Sequence, residues 1–261
     1  MRKLKQLLLA SLCALSLLSP TPVLSQNQAC LKHFVDGKPP SFTRTSLQLK
    51  TAGLCYEAFA VMHSGVSRTP LWSAEHLTRE QITAAKEVPR KDAFHAEETL
   101  PPDLRAELSD YARSGYDRGH MAPAADMPTE EAQHQSFSLA NIVPQNRNNN
   151  QRLWSAIEGA TRHLANQRGE LFVITGPLFE GERIQRINGR VFVPTHIFKA
   201  VYDPHKKEGA AWLTPNEAGE NFEVISLAAL EKRAGINLFP SVPDPVKAQA
   251  MVLPEPRLRK R

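Results

Sequence analysis

Hydrophobic positions along this chain recur at two spacings, and the changes between them mark the elements. Residues 54–62 are apolar and aromatic, with Tyr56, Phe59, Val61 and Met62, and predict a strand. His63-Ser64-Gly65 reads as a turn, and residues 69–77, apolar around Leu71, Trp72 and Leu77, as its hairpin partner. Residues 78–111 are charged and lack long apolar runs, so they predict a long surface excursion with a short helix near 103–111. A loop of that length inside a compact domain is usually functional. A short helix is expected over 132–139. From 151 to 167, Leu153, Trp154, Ile157, Ala160 and Leu164 fall at helical spacing, and Gly169 is the stop. Residues 171–175 form a buried strand closed by Gly176-Pro177. Further strands are expected at 191–193, 196–202 and 210–213, the last two joined by a hairpin turn over 203–209. Residues 226–233 predict a short helix capped by Ser226 and stopped by Gly235. No internal repeat is present. The pattern is that of a single α+β domain, sheets with helices packed against them.

The first 25 residues follow a different rule. Arg2, Lys3 and Lys5 precede an apolar run over 7–18 that is shorter than the roughly 20 residues of a membrane span. With a cleavage site at Val23-Leu24-Ser25, this predicts a signal peptide over 1–25, an uncleaved anchor being the alternative. No later stretch is apolar enough to cross a membrane, so no stable membrane association is expected after cleavage. The expected location is periplasmic or secreted, by bacterial export. Residues 26–53, polar and bearing Pro39 and Pro40, form an N-terminal lead-in; a folded domain spans 54–245. Residues 246–261 end in Arg257-Leu258-Arg259-Lys260-Arg261 and read as a solvated basic tail rather than a binding arm.

Cysteine and charge narrow the class. Cys13 leaves with the signal. Cys30 and Cys55 remain as an even pair in an exported chain and predict a disulfide, with two free buried thiols as the alternative. Neither has a second Cys or His at zinc spacing, so a zinc site is not expected. The formal charge is +5, and removing the three cations of the signal leaves about +2. Net charge this small does not by itself attract a polyanion, so any nucleic-acid surface must be local.

One stretch concentrates the chemistry: Tyr116-Asp117-Arg118-Gly119-His120-Met121-Ala122-Pro123, followed by Asn146-Arg147-Asn148-Asn149-Asn150-Gln151 and Glu158. Cutting a phosphodiester requires a base for water, stabilisation of charge on phosphoryl oxygens, and departure of a poor alkoxide. His120 suits the base, because its ordinary pKa is near neutrality. Arg118 can grip phosphate with a two-pronged hydrogen bond. Asn150 offers an amide oxygen to a hard divalent cation, which keeps most of its waters. The asparagines equally suit a helix N-cap. Glu158 lies a little over two turns beyond Asn150, near the same helix face.

The runs Asp117–Pro123 in the first stretch, Ser138-Leu139-Ala140-Asn141-Ile142-Val143-Pro144-Gln145, then 150–154 and Glu158, resemble the DNA/RNA non-specific endonuclease family, the ββα-metal (His-Me finger) nucleases that include endonuclease G. The similarity extends over about 55–243 and takes in Thr175-Gly176-Pro177-Leu178 and Leu230-Glu231-Lys232. The resemblance implies a central antiparallel sheet flanked by helices, with a ββα-metal motif at the active site. It implies hydrolysis of both DNA and RNA, leaving 5′-phosphate ends. His120 would be the general base and Asn150 the single protein ligand of a Mg2+ ion, with Mn2+ able to substitute. Glu158 would act on the waters around that ion, Arg118 would stabilise the phosphoryl transition state, and Asn141 would support the site by hydrogen bonding. Arg90 is the expected upstream active-site arginine, with Arg79 and Arg105 as alternatives; Asp117 is expected to be structural. A groove focused by Arg90, Arg118, Arg147 and Arg152 would bind phosphate without reading bases. Trp154 is expected in the core rather than stacked on a base. An inhibitor protein and a homodimer are open partner expectations. Two competing functions are a binding protein without catalysis and an enzyme for a small phosphodiester.

Overall fold

The computed structural model describes residues 28–258. The signal-peptide expectation over 1–25 and the last three residues of the basic tail lie outside the described residues. In chain order the main strands are β1 (Thr51–Cys55), β2 (Ala60–Ser64), β3 (Thr69–Thr78), β4 (Asp117–His120), β5 (Ile142–Gln145), β6 (Glu170–Leu178), β7 (His196–Asp203), β8 (Glu208–Pro215) and β9 (Glu223–Ile225). Seven of them form one antiparallel sheet in the order β9-β8-β7-β6-β3-β2-β1. β4 and β5 pair separately as a short ribbon. The main helices are α1 (Arg79–Ala85), α2 (Glu130–Ser136), α3 (Ser155–Arg168) and α4 (Leu227–Ala234).

Strand alternation gives the sheet two different faces. On one, Ala74, Ile174, Ala200 and Ala211 lie side by side across four strands, in a core completed by Leu227 and Leu230 of α4. The small residues there let the helix pack close. On the other face the cross-strand row is polar at its centre: Ser73, Thr175 and Lys199, with Trp212 beyond. Glu75 sits two residues along. This face packs against α3, whose Ile157, Ala160, Thr161, Leu164 and Ala165 form the buried stripe of an amphipathic helix. Trp154, at the start of α3, is 1% exposed and belongs to that core.

The expected α+β single domain with an antiparallel sheet is present, and several local expectations are corrected. Residues 54–62 are two strands, because Tyr56 N–H bonds to Phe59 O at 2.9 Å and turns the chain. The turn placed at 63–65 comes later, since His63 and Ser64 still pair with Pro70 and Thr69. The excursion after β3 opens with helix α1, fixed by a capping box in which Thr78 and Gln81 bond each other's backbone N–H at 3.2 Å. Further along, Leu100 and Ala106 are buried, so the excursion is anchored rather than wholly superficial. The helix expected over 132–139 is α2, started by Thr129, whose Oγ1 accepts from Ala132 N–H at 3.0 Å. β6 runs through Gly176-Pro177; a Cβ on Gly176 would lie 2.6 Å from Leu71 O, so only glycine fits this close strand approach. The strand expected at 191–193 shrinks to Val191–Phe192, paired with Arg186–Ile187. The lead-in is not merely extended: Ser41–Phe42 pairs with Ile236–Asn237. The C-terminal tail is docked at least to Leu253, with Met251 N–H on Gly209 O at 3.0 Å and Met251 and Leu253 buried. Gly169 and Gly235 end α3 and α4 as expected. No helix among the described residues is long and apolar enough to cross a membrane.

Cys30 and Cys55 form a disulfide with Cα atoms 5.6 Å apart, tying the turn at Gln28–Leu31 to β1. Closing a loop of 25 residues constrains the unfolded chain by about 3.5 kcal/mol. Cys55→Ser should therefore lower the urea midpoint of unfolding by an amount corresponding to about 2–4 kcal/mol. A variant that unfolds at the same midpoint as the oxidised protein would contradict the link.

Candidate active site

The β4–β5 ribbon presents the histidine. Gly119 faces Val143 across it, and a Cβ on Gly119 would fall 2.0 Å from Gln145 Oε1 and 2.6 Å from Gln145 Cβ. The glycine is thus demanded by the close crossing of Gln145, and the residue after it is His120. Asn141 locks the segment that follows. It is fully buried and makes four side-chain hydrogen bonds. Its Oδ1 accepts from Ser73 Oγ at 2.7 Å and Ala122 N–H at 3.0 Å. Its Nδ2 donates to Ala122 O at 2.8 Å and Ser136 O at 2.9 Å. Asn141 therefore clamps the ribbon to β3 and α2 and has no group left for substrate.

His120 is 8% exposed, in contact with Phe94 at 5.3 Å and Phe137 at 4.9 Å between ring centroids. Each aromatic ring also carries an arginine. Arg118 Cζ lies 4.1 Å from the Phe94 centroid, and Arg90 Cζ 5.4 Å from that of Phe137. Burial first, then the Arg90 charge, lowers the imidazole pKa to about 3; Asp92 opposes this and Arg118 adds to it. The ring is neutral across the physiological range. Its Nε2 is sealed without a partner, leaving Nδ1 as the nitrogen with access to a reacting group. The alternative arginines are engaged elsewhere: Arg79 Nε donates to Asn166 O at 2.9 Å and Arg105 Nε to Glu107 at 2.7 Å.

The asparagine cluster enters α3 through a π-helical turn, Asn149–Trp154. Its members divide the work. Asn146 Oδ1 accepts from the backbone N–H groups of Asn148 and Asn149 at 2.9 and 3.2 Å, a capping role. Asn149 Nδ2 donates to Thr214 Oγ1 at 2.7 Å, anchoring the turn to β8. Asn150 Nδ2 donates to Asp117 Oδ2 at 3.1 Å, which leaves Oδ1 unpaired. Asp117 also accepts from Gln151 Nε2 at 2.8 Å and Arg147 Nε at 3.0 Å. Partial burial opposes its charge, but hydrogen bonds from Asn150, Arg147 and Gln151 outweigh this and hold its carboxyl below the usual range. Asp117, expected to be structural, is what orients Asn150.

A cleft of about 680 Å³ is lined by Arg90, Phe94, Arg118, Arg147, Asn150 and Gln151 among others. His120 adjoins it through Phe94 and Arg118. Arg152, expected in this groove, instead pairs with Glu220 at 2.8 Å and lines a separate groove beside the C-terminal tail. Glu158 lies behind the cleft in a layer of charge between sheet and α3. Burial raises its pKa, Lys199 and Arg162 oppose the rise, Asp126 adds to it, and Arg90 opposes it in turn. In that layer Arg162 bonds Asp126 at 2.7 Å and Lys199 bonds Thr175 Oγ1 at 2.7 Å. Phe94 and Phe137 were not singled out by sequence; a lone aromatic in a charged stretch is the only trace Phe94 leaves. Among the described residues no three His, Cys, Asp or Glu side chains converge to hold a metal. The donor the cleft offers is the free amide oxygen of Asn150, which fits a hard, largely hydrated cation.

A neutral histidine, two arginines and an oriented amide oxygen about one open cleft suit the hydrolysis of a phosphodiester. The chain belongs to the DNA/RNA non-specific endonuclease family, whose pattern matches residues 39–245. It is 34% identical over 204 residues to Nuclease C1 of Cunninghamella echinulata var. echinulata, covering 70% of this chain and 81% of that protein. It is 34% identical over 224 residues to the mitochondrial nuclease of Saccharomyces cerevisiae, covering 75% of this chain and 67% of that one. Its fold is similar to that in the crystal structure of the EndoG/EndoGI complex, which concerns the mechanism of EndoG inhibition. The TM-score is 0.62 at 26% identity, over 70% of this chain and 84% of that one. The chain is thus a nuclease acting on phosphodiester bonds of nucleic acid.

These relatives overturn the expectation of bacterial export to the periplasm or medium. The Saccharomyces relative and several other matched nucleases are named as mitochondrial, which contradicts that expectation. The physical reason lies in the N-terminus. An acid-free segment with Arg2, Lys3, Lys5 and several serines shares its basic, Ser-bearing character with transit peptides as well as export signals.

If the free Asn150 oxygen holds a divalent metal, Asp117→Ala, which removes the group that fixes the amide, should weaken that binding about 10- to 100-fold. Calorimetric titration with Mg2+ measures it; wild-type affinity in the variant would contradict an Asn150 site oriented by Asp117.

Proposed function

We propose that this protein is a sugar-non-specific endonuclease that cuts DNA and RNA with one divalent metal ion and His120 as general base, leaving 5′-phosphate and 3′-hydroxyl ends. The observation that carries this is the buried, neutral His120 between two arginine-bearing aromatic rings. Arg118 and Arg90 grip the non-bridging oxygens of the scissile phosphate from two sides. Their charge is set where negative charge develops during attack. His120 Nδ1 takes the proton from water as its oxygen attacks phosphorus in line with the departing 3′-oxygen, which takes a proton from a cleft water to leave as the 3′-hydroxyl. Asn141 keeps the base in register by tying Ala122 to Ser73. Asn150 Oδ1 would hold Mg2+, or Mn2+ in its place, and the ion when bound supplies charge neutralisation at the phosphoryl and leaving oxygens. Glu158, behind Asn150 on α3, orients water around this part of the cleft.

Phosphate contacts carry no sequence information, and the cleft as described offers no recognition helix or base-reading ribbon. Cleavage with little sequence preference follows, on either sugar, because neither Arg118 nor Arg90 needs a 2′-hydroxyl. By the same reading, an inhibitor protein such as the one named for EndoG would act by covering this cleft.

Purified protein should nick supercoiled plasmid and degrade total RNA with Mg2+ present, and do neither in excess chelator. His120→Ala should lower kcat by about 10²- to 10⁴-fold while the circular dichroism spectrum stays that of the wild type. Full activity in that variant would remove His120 from the mechanism. A folded protein that binds DNA but cuts nothing would favour a binding role.

A further inference from the structure

A second cleft opens beside the first. It holds about 400 Å³ and is lined by Ile82, Lys86, Val88, Arg90, Arg162 and His163 among others. Its walls are α1 with the chain that follows it, the segment after β4, and one side of α3. The two clefts meet at one side chain: Arg90 lines both.

The chemistry of this second cleft is one-sided. No carboxylate lines it. Arg162 is paired with Asp126, whose side chain is 2% exposed, so its charge is offset but its position is fixed. Arg90 pairs with Asp92 only at the surface, where both side chains are more than half exposed and the attraction is weak and exchangeable. Lys86 and His163 are exposed, and their side chains have no hydrogen-bond or ion-pair partner among the described residues. The rest of the wall is apolar at Ile82, Ala85, Val88, Ala124 and Ala125, with two neutral amides, Gln133 and Asn166. A cation and a ring donor over an apolar wall suit an anion attached to a flat or carbon-rich body. The volume falls in the range of small-ligand sites.

We propose that this cleft is a flanking-nucleotide subsite. It takes the phosphodiester next to the scissile one, with Lys86 and His163 on the phosphate and the sugar against Val88, Ala124 and Ala125. Arg90 is the joint: it holds the scissile phosphate on one side and passes the strand to Lys86 on the other. This inference rests on the nuclease reading and extends it. It means that the protein measures strand length as well as phosphate, and binds a polynucleotide better than the bond alone requires. No local pattern in the chain points to it, because Lys86 and His163 lie far apart in sequence and each looks like an ordinary surface residue.

The test is steady-state cleavage of a single-stranded oligonucleotide of about twenty nucleotides by the full chain with Mg2+, over a series of salt concentrations. Lys86→Glu and the double variant Lys86→Ala/His163→Ala are compared with wild type. Lys206→Ala, in the β7–β8 turn and lining neither cleft, is the charge-matched control. Lys86→Glu should raise KM about tenfold. The double variant should reduce the salt slope of binding by about 0.7 for each phosphate no longer neutralised. The control should match wild type in both. Variants with wild-type KM and salt slope, or a loss carried by kcat alone, would overturn the subsite while leaving the nuclease standing. A wild-type protein that cuts no strand at all would overturn the nuclease reading, and the subsite with it.

Discussion

Enclosing an imidazole between Phe94 and Phe137 removes the water that would stabilise its charged form, and the site is arranged around that constraint. Burial and the Arg90 guanidinium act in the same direction, so His120 stays unprotonated. An arginine stacks on each of the same two rings, and both guanidinium charges bias the base. A phosphodiester entering the cleft brings negative charge beside both. On the proposed mechanism that charge would offset Arg90 and Arg118 and strengthen His120 as a proton acceptor when a phosphate is bound.

Amide side chains supply the rigidity this requires. Asn141 and Asn150 both use their NH2 groups on protein acceptors, but they differ in what becomes of the oxygen. Asn141 Oδ1 is consumed by Ser73 and Ala122, so the residue is wholly a clamp. Asn150 is held through its nitrogen by Asp117 alone, and its oxygen remains for the cleft. Beneath them the buried Glu75, Asp126 and Lys199 and the half-buried Glu158 and Arg162 form a layer of mixed charge between sheet and α3. Ionic groups in such a place are costly unless paired, and removing one partner is more damaging than replacing the set. The layer fixes the electrostatic setting of Glu158, and its Arg162–Asp126 pair holds one wall of the second cleft.

What could be read in the sequence was what lies together in the sequence. Asp117 to His120 and the run ending at Asn150 are contiguous, and each residue type announces a chemical capacity. The α3 stripe, the Ser226 cap and the β7–β8 hairpin were legible because periodicity and turn chemistry are local. Features set by long-range packing were not. The turn splitting β1 from β2 is marked only by Glu57, a single charge within an otherwise apolar and aromatic run. Pro177 looked like a strand end, yet it continues β6. Met251 and Leu253 seemed part of a solvated tail, but they cover the second core. Helix α1 could have been found from Thr78 and Gln81, whose spacing is that of a capping box. Phe94 and Phe137, which decide the state of His120, carry no motif. Arg152 showed the opposite failure, being basic and adjacent to the motif but turned toward Glu220.

The most direct measurement is the pH dependence of kcat and of kcat/KM for oligonucleotide cleavage, from about pH 4 to about pH 9, in saturating Mg2+. The profile of kcat/KM reports the free protein, and that of kcat the substrate complex. If His120 is the base and is held neutral by burial and arginine, kcat/KM should lose activity only at a pH well below 6.5, the ordinary histidine value. The acid limb of kcat should then lie at higher pH, because bound phosphate offsets the two arginines. An acid limb of kcat/KM at or above 6.5, or a kcat limb lying below that of kcat/KM, would contradict a buried, arginine-biased base.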